Sequence, residues 1–204
     1  MENKEEQQKQ IMNEVSAHLR KEHLNYKSRT QESWNKIHSD GFISDSPVKE
    51  IAKYAMRRIP HKGANIIDFG CGSGAIASHL RRFDMYVGVD ISPKVVNTLM
   101  ESPHSDKIYY LADSITTFKL PEQTDIGYCI NTLECIEDDF LQKALLRISE
   151  TVRQCVFSID LTERPYHKNI QEPRWWLKEI EIYFDTFQIQ NFNNHFILIG
   201  KSKV

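Results

Sequence analysis

The chain has 204 residues, of which 40% are apolar and 26% charged, with a net charge of −2. That length can bury a full core around one sheet, and the near-neutral charge gives no overall pull toward nucleic acid or an anionic membrane. No apolar run is long enough for a transmembrane helix, and residues 1–10 are too polar for a secretory signal, so a cytoplasmic protein without membrane insertion is expected.

In chain order, Glu5 to Leu24 carries Ile11, Met12, Val15 and Leu19 at helical spacing. A polar stretch containing Tyr26 and Trp34 follows. Ser46-Pro47 then starts a helix with Val48, Ile51, Ala55 and Ile59 inward. These features divide the chain into a helical leader, 1–45, and a main domain, 46–204.

The apolar run Asn65-Ile66-Ile67 leads into Asp68-Phe69-Gly70-Cys71-Gly72-Ser73-Gly74, and a helical run opens at Ala75. Strand, glycine turn and helix start follow one another directly. Glycine lets the backbone reach φ > 0 and approach a ligand with no Cβ in the way, and the free N–H groups of a helix start face the same point. This is the pattern of a nucleotide-type cofactor cradle. Gly70-x-Gly72-x-x-Ala75 fits a dinucleotide turn, which keeps an NAD-dependent oxidoreductase open as an alternative. Asp68 argues against it: a carboxylate two residues before the first glycine repels a pyrophosphate. It suits S-adenosylmethionine (SAM), which carries an ammonium and a sulfonium and has no phosphate. The next strand ends at Asp90, 22 positions after Asp68, where an acidic side chain accepts hydrogen bonds from ribose hydroxyls. Ser92-Pro93 then caps a helix.

Strands are expected near 65–69, 86–90, 108–112, 125–130 and 153–159, with helices near 74–82, 93–102 and 138–150. Pro173 opens a further helix whose face carries Trp176, Leu177, Ile180, Tyr183 and Phe184. Two alternating runs, Phe187–Phe192 and His195–Ile199, meet at Asn193-Asn194, a pair that tolerates φ > 0 and so predicts a hairpin. The fold class is α/β: doubly wound, with a mostly parallel sheet and an antiparallel C-terminal hairpin, preceded by the helical leader. Cys71, Cys129, Cys135 and Cys155 show neither CxxC nor metal-ligand spacing. Buried, reduced thiols and no metal are expected.

Taken together, Ile66–Gly74, Gly88-Val89-Asp90-Ile91-Ser92, Ala112-Asp113-Ser114 and Asp125–Glu134 resemble, in order and spacing, the class I SAM-dependent methyltransferases. The resemblance covers roughly residues 45 to 200. It implies a seven-stranded sheet whose last strand runs antiparallel, SAM as methyl donor and S-adenosylhomocysteine (SAH) as product. It assigns Asp68 and the turn Gly70, Cys71, Gly72 and Gly74 to the methionine side, and Asp90 to the ribose. Ile91 would pack on the adenine, Asp113 with Ser114 would meet the adenine amino group, and Asn131 and Thr132 would flank the methionine.

The acceptor side is less sharply marked. Methyl transfer is an in-line displacement, so much of the catalysis comes from positioning, and a base is needed only for a protonated acceptor. Glu134, after the fourth strand, and His167, in the loop after the fifth, are the candidate bases. Related small-molecule enzymes often carry Leu-Glu-His where this chain has Leu133-Glu134-Cys135. Trp34 and Tyr26 are candidate lid residues, and Trp175 is a candidate wall of the acceptor pocket. No proline-rich loop follows the fourth strand, no Pro-Cys occurs, and no basic–aromatic track is present. A small-molecule or glycan acceptor is therefore expected, not a nucleic acid. A SAM-fold protein that binds a partner without methylating it is the remaining alternative.

Overall fold

In a computed structural model, the structure describes residues 21, 24–39 and 48–204. The helix expected over Glu5 to Leu24 lies almost wholly outside the described residues. Residues 24–39 form helix α1. The elements that follow are α2 (Val48–Met56), β1 (Asn65–Phe69), α3 (Ala75–His79), β2 (Met85–Asp90), α4 (Pro93–Glu101) and β3 (Ile108–Ala112). Next come β4 (Thr124–Ile130), a 3-10 turn (Leu133–Cys135), α5 (Asp138–Thr151), β5 (Val152–Asp160), α6 (Pro173–Glu181), β6 (Phe184–Phe192) and β7 (His195–Ser202).

The seven strands form one sheet in the order β3-β2-β1-β4-β5-β7-β6. The first five run parallel, while β7 pairs antiparallel with both β5 and β6. The order reverses between β1 and β4, and a crevice opens at the carboxyl ends of strands at such a point. Alternation along β1 divides the core. Ile67 and Phe69 face the side covered by α5 and α6, and Ile66 faces the side covered by α2, α3 and α4. Each such fully buried aliphatic side chain contributes ~1.5–3 kcal/mol. With both faces covered, the central strands read as continuous apolar runs.

Local chemistry explains the ends of the elements. Ser92 accepts a hydrogen bond from Val95 N and Pro93 takes the first helical position, so α4 starts there. Asp138 and Asp139 sit in the first turn of α5, where the helix dipole favours negative charge. Asn193 and Asn194 have φ of 47° and 60°, the doubly left-handed turn that joins β6 to β7. One expectation needs correcting. The stripe begun by Trp176 and Ile180 does not run on as helix through Tyr183 and Phe184: α6 ends at Glu181, and Phe184 is the first residue of β6.

Candidate active site

The glycine turn leaves β1 with Gly70, Gly72 and Gly74 all at positive φ, 72°, 46° and 71°. A Cβ on Gly70 would lie 2.4 Å from Thr132 Oγ1, whereas one on Gly72 would meet nothing nearer than Gly70 O at 3.9 Å. Gly72 thus borders open space at the strand tips, and Gly70 is packed against the end of β4. Thr132 Oγ1 lies 3.1 Å from both Phe69 O and Ile130 O, so its hydroxyl bridges the tips of β1 and β4.

Two acidic groups flank this turn. Asp68 is 2% exposed and accepts a 2.7 Å hydrogen bond from Tyr86 Oη. Burial pushes its carboxyl up to about 7, against the pull of the Tyr86 hydroxyl. Asp90 accepts from Gly72 N at 3.0 Å and from Ser92 N at 2.9 Å. It therefore ties the turn to the β2–α4 connection, and burial raises its pKa in spite of those two bonds. Cys71 is buried beside both carboxyls, and burial pushes its thiol well above the usual range. Ile91 is half-buried at the same connection.

Helix α1 closes over this corner. Ser92 Oγ donates to Asn35 Oδ1 at 2.6 Å, and Lys27 pairs with Asp113 at 2.5 Å. Asp113 Oδ1 also accepts from Ser114 N and Thr117 Oγ1, and buried Ser114 bonds the Thr116 hydroxyl. The leader thus reaches the Asp90 and Asp113 connections together. On the far side, Asn131 has φ 52° and commits its side chain to Ser158 Oγ and His195 Nε2.

Both candidate bases make hydrogen bonds to the backbone of the β5–α6 segment. Glu134 is fully buried and its Oε1 accepts from Asp160 N at 2.9 Å; its carbonyl accepts from Lys168 N and Asn169 N. Burial pushes its carboxyl up to about 8. His167 is buried, its Nδ1 2.8 Å from Thr162 O, and burial lowers its pKa. Neither is among the residues that line the cleft under α1. That cleft, of about 360 Å³, lies between α1 and the loops after β4 and β5. Tyr26, Arg29, Thr30, Ser33, Trp34 and Ile37 line it from α1, opposite Cys135, Glu137, Pro165, Tyr166 and Lys168. Trp34 and Tyr166 lie with ring centroids 5.7 Å apart, and Tyr26 stacks on Phe140 at 3.7 Å. Trp175 is not in this wall: it packs on the main core and meets Trp176 edge-on. The contributions of Tyr166, Lys168 and the α1 stripe are not legible as a motif. The stripe at 26, 29, 30, 33, 34 and 37 has helical spacing, but its mixed residue types hide it from an apolar-periodicity reading. All four cysteines are buried and free.

The sheet order, the glycine turn after β1 and the acidic tip of β2 define the class I, Rossmann-like methyltransferase fold. Residues 66–154 match the family model described as a methyltransferase domain. Solved structures agree in fold. Magnesium protoporphyrin IX methyltransferase from Synechocystis PCC 6803 with bound SAM superposes with a TM-score of 0.68 at 13% identity, covering 87% of this chain and 97% of that one. The 1,6-didemethyltoxoflavin-N1-methyltransferase of Burkholderia thailandensis, with its acceptor and SAH bound, gives 0.71 at 14% identity, with 87% and 89% covered. The putative methyltransferase of Haloferax volcanii, in complex with the Trm112 methyltransferase activator, gives 0.70 at 13% identity, with 84% and 97% covered. None of the curated proteins matches the chain in sequence. The fold and the matched stretch 66–154 are those of a methyltransferase domain, and the dinucleotide reading of Gly70-x-Gly72-x-x-Ala75 gives way. No helix among the described residues is long and apolar enough to cross a membrane.

Proposed function

We infer that the chain methylates a small-molecule acceptor held in the cleft under α1. The observation that carries this reading is the cleft itself: about 360 Å³, at the low end of small-ligand pockets, and walled by the same helix α1 that bonds the Asp90 and Asp113 connections. Such a volume suits one compact acceptor better than an extended glycan. Two of the structural neighbours are named for small-molecule acceptors, a magnesium protoporphyrin and didemethyltoxoflavin.

The residues present fit SAM. Gly72 leaves backbone space that a Cβ would fill, Asp90 offers a ribose-facing carboxylate, and Asp68 places a second carboxyl on the methionine side. SAM supplies a methyl already activated by its sulfonium. A cationic ligand beside Asp68 favours the carboxylate over the neutral acid that burial promotes. Asp113 and Ser114 take the adenine edge, Ile91 its face, and Asn131 and Thr132 the methionine side through the backbone that Thr132 secures. The leader acts as a lid, with Tyr26 and Trp34 in its inner face. Since Glu134 and His167 brace the loops, the chain's contribution is alignment of the acceptor and exclusion of water. An acceptor that arrives as an anion needs no base.

Calorimetric titration with SAM, SAH and NAD side by side tests the cofactor map. Micromolar binding of the first two and none of NAD is expected, followed by turnover of a small acceptor with labelled methyl. Binding of NAD alone would overturn the role given to Asp68, and binding of none would return the protein to the non-catalytic class.

A further inference from the structure

The cleft's chemistry goes further than its size. Its walls are aromatic where they are broad: Trp34 from α1 faces Tyr166 from the β5–α6 loop at 5.7 Å, with ring planes inclined by 58°. A neutral sugar ring needs many polar partners for its hydroxyls, because burying them unpaired is costly. The lining offers few, chiefly the Thr30 and Ser33 hydroxyls, since Arg29 already engages Glu137 through two contacts of 2.7 and 2.9 Å.

The charges point one way. Arg29 and Lys168 are the cleft's cations and Glu137 is its anion. Glu137 is spent on Arg29, whereas the Lys168 ammonium has no ion pair among the described residues. Lys168 is nonetheless fixed at its backbone, whose N–H donates to Glu134 O at 2.7 Å. Its charge is also felt at the Cys135 thiol on the cleft floor. A cationic acceptor would meet one uncompensated positive charge and no available carboxylate. An anionic one would meet the reverse, since Lys168, an exposed residue on the cleft wall, keeps its charge unpaired.

We propose that the acceptor is a planar ring compound carrying an anionic group, carboxylate or phosphate, with the ring packed against the Trp34–Tyr166 pair and the anion on Lys168. This rests on the methyltransferase reading above. Trp34 and Tyr166, packed on one another, form one aromatic surface on which a planar acceptor can stack or meet edge-on, and the single ammonium fixes which end points outward.

The test uses the full chain saturated with SAH. Calorimetry is run on matched pairs: hydroxybenzoates, aminobenzoates and pyridine carboxylates against their amides, and phenyl phosphate against phenol. At least one anion should bind tenfold or more tightly than its uncharged partner. Lys168→Gln should bring that pair to parity while Lys168→Arg retains the preference. Trp34→Leu should weaken both members alike, and SAH affinity should be unaltered in all three variants. The carboxylate and phosphate arms distinguish the two anions. Equal binding of charged and uncharged members, a preference that survives Lys168→Gln, or SAH binding with no ring compound bound at all would each overturn the proposal. Failure to bind SAH would instead remove the methyltransferase reading beneath it, and the proposal with it.

Discussion

Gly70 and Gly72 both sit at positive φ, yet they are glycines for different reasons. A methyl on Gly70 would collide with Thr132 Oγ1 at 2.4 Å and with Thr132 Cγ2 at 2.6 Å, inside the bridge that holds β1 to β4. A methyl on Gly72 would enter open space, with left-handed strain as its main structural cost. The two alanine variants should therefore separate stability from binding. Gly70→Ala combines strain with overpacking and should cost about 3 kcal/mol, a fall in Tm of ~5–10 °C. Gly72→Ala should lose only ~1–2 kcal/mol but weaken SAH at least tenfold by filling the backbone approach. Thermal melts and calorimetry on both proteins decide it; the opposite ranking would remove Gly72 from the cradle. The sequence reveals the turn but not this division of labour, because Thr132 is 62 positions away from Gly70. The same distance problem hides Glu134. Its place after β4 marks it as a candidate base, and only the fold shows Asp160 N on its carboxylate and the β5–α6 loop on its carbonyl.

Among the elements, those flanking the sheet were the most legible, because strands buried on both faces and helices with one apolar stripe leave strong periodic signals. Ser92-Pro93 and Asn193-Asn194 added chemistry that fixes a start and a turn. The sequence shows the α1 segment only as a polar stretch within the helical leader. Its inner stripe mixes Arg29, Thr30 and Ser33 with Tyr26 and Trp34, so the face that meets the cleft carries no apolar period. Its polar attachments include Lys27 to Asp113, Arg29 to Glu137, Asn35 to Ser92 and Ser39 to Lys94, beside the ring contacts of Tyr26 with Phe140 and Trp34 with Tyr166. Partly exposed pairs of this kind contribute only ~0–1 kcal/mol each, so α1 should open more readily than the sheet. The bonds of Asn35 to Ser92 and Lys27 to Asp113 fall at the connections assigned to ribose and adenine. SAH should therefore slow amide hydrogen exchange across 24–39, and Asn35→Ala should speed it in the free protein while β1 exchange is unaffected. Exchange in 24–39 that ignores SAH would leave α1 as a fixed brace and not a lid.

Across the whole molecule, the buried acids set a pH dependence with a definite sign. Burial raises Glu134 from an ordinary 4.5 to about 8 and Asp68 from 3.8 to about 7. Between the unfolded and folded values the native state holds protons that the unfolded chain has released, so stability falls as pH rises. The stabilisation is complete below about pH 4.5 and is lost as pH climbs through 8. His167 and His38 act oppositely, since burial lowers both and their contribution fades as pH drops below the ordinary histidine value. Asp160, whose pKa is lowered by the Thr162 hydroxyl and backbone N–H and by nearby His195 and His167 in spite of its own desolvation, also loses its contribution on the acid side. A melting curve of the wild type alone mixes these terms, so the difference against Glu134→Gln is the informative quantity. Glutamine keeps the shape of the protonated acid and cannot ionise, while the histidines, Asp68 and Asp160 are common to both proteins and cancel. The two should melt together near pH 4, below the ordinary glutamate value. By pH 8.5 the variant should melt ~5 °C or more above the wild type, as the native wild type must by then either hold its proton against solution or ionise a carboxyl with no exposure to water. A difference that stays flat with pH would mean that Glu134 is ionised throughout, with a cation or water serving the Oε2 that lacks a hydrogen-bond partner in the folded chain.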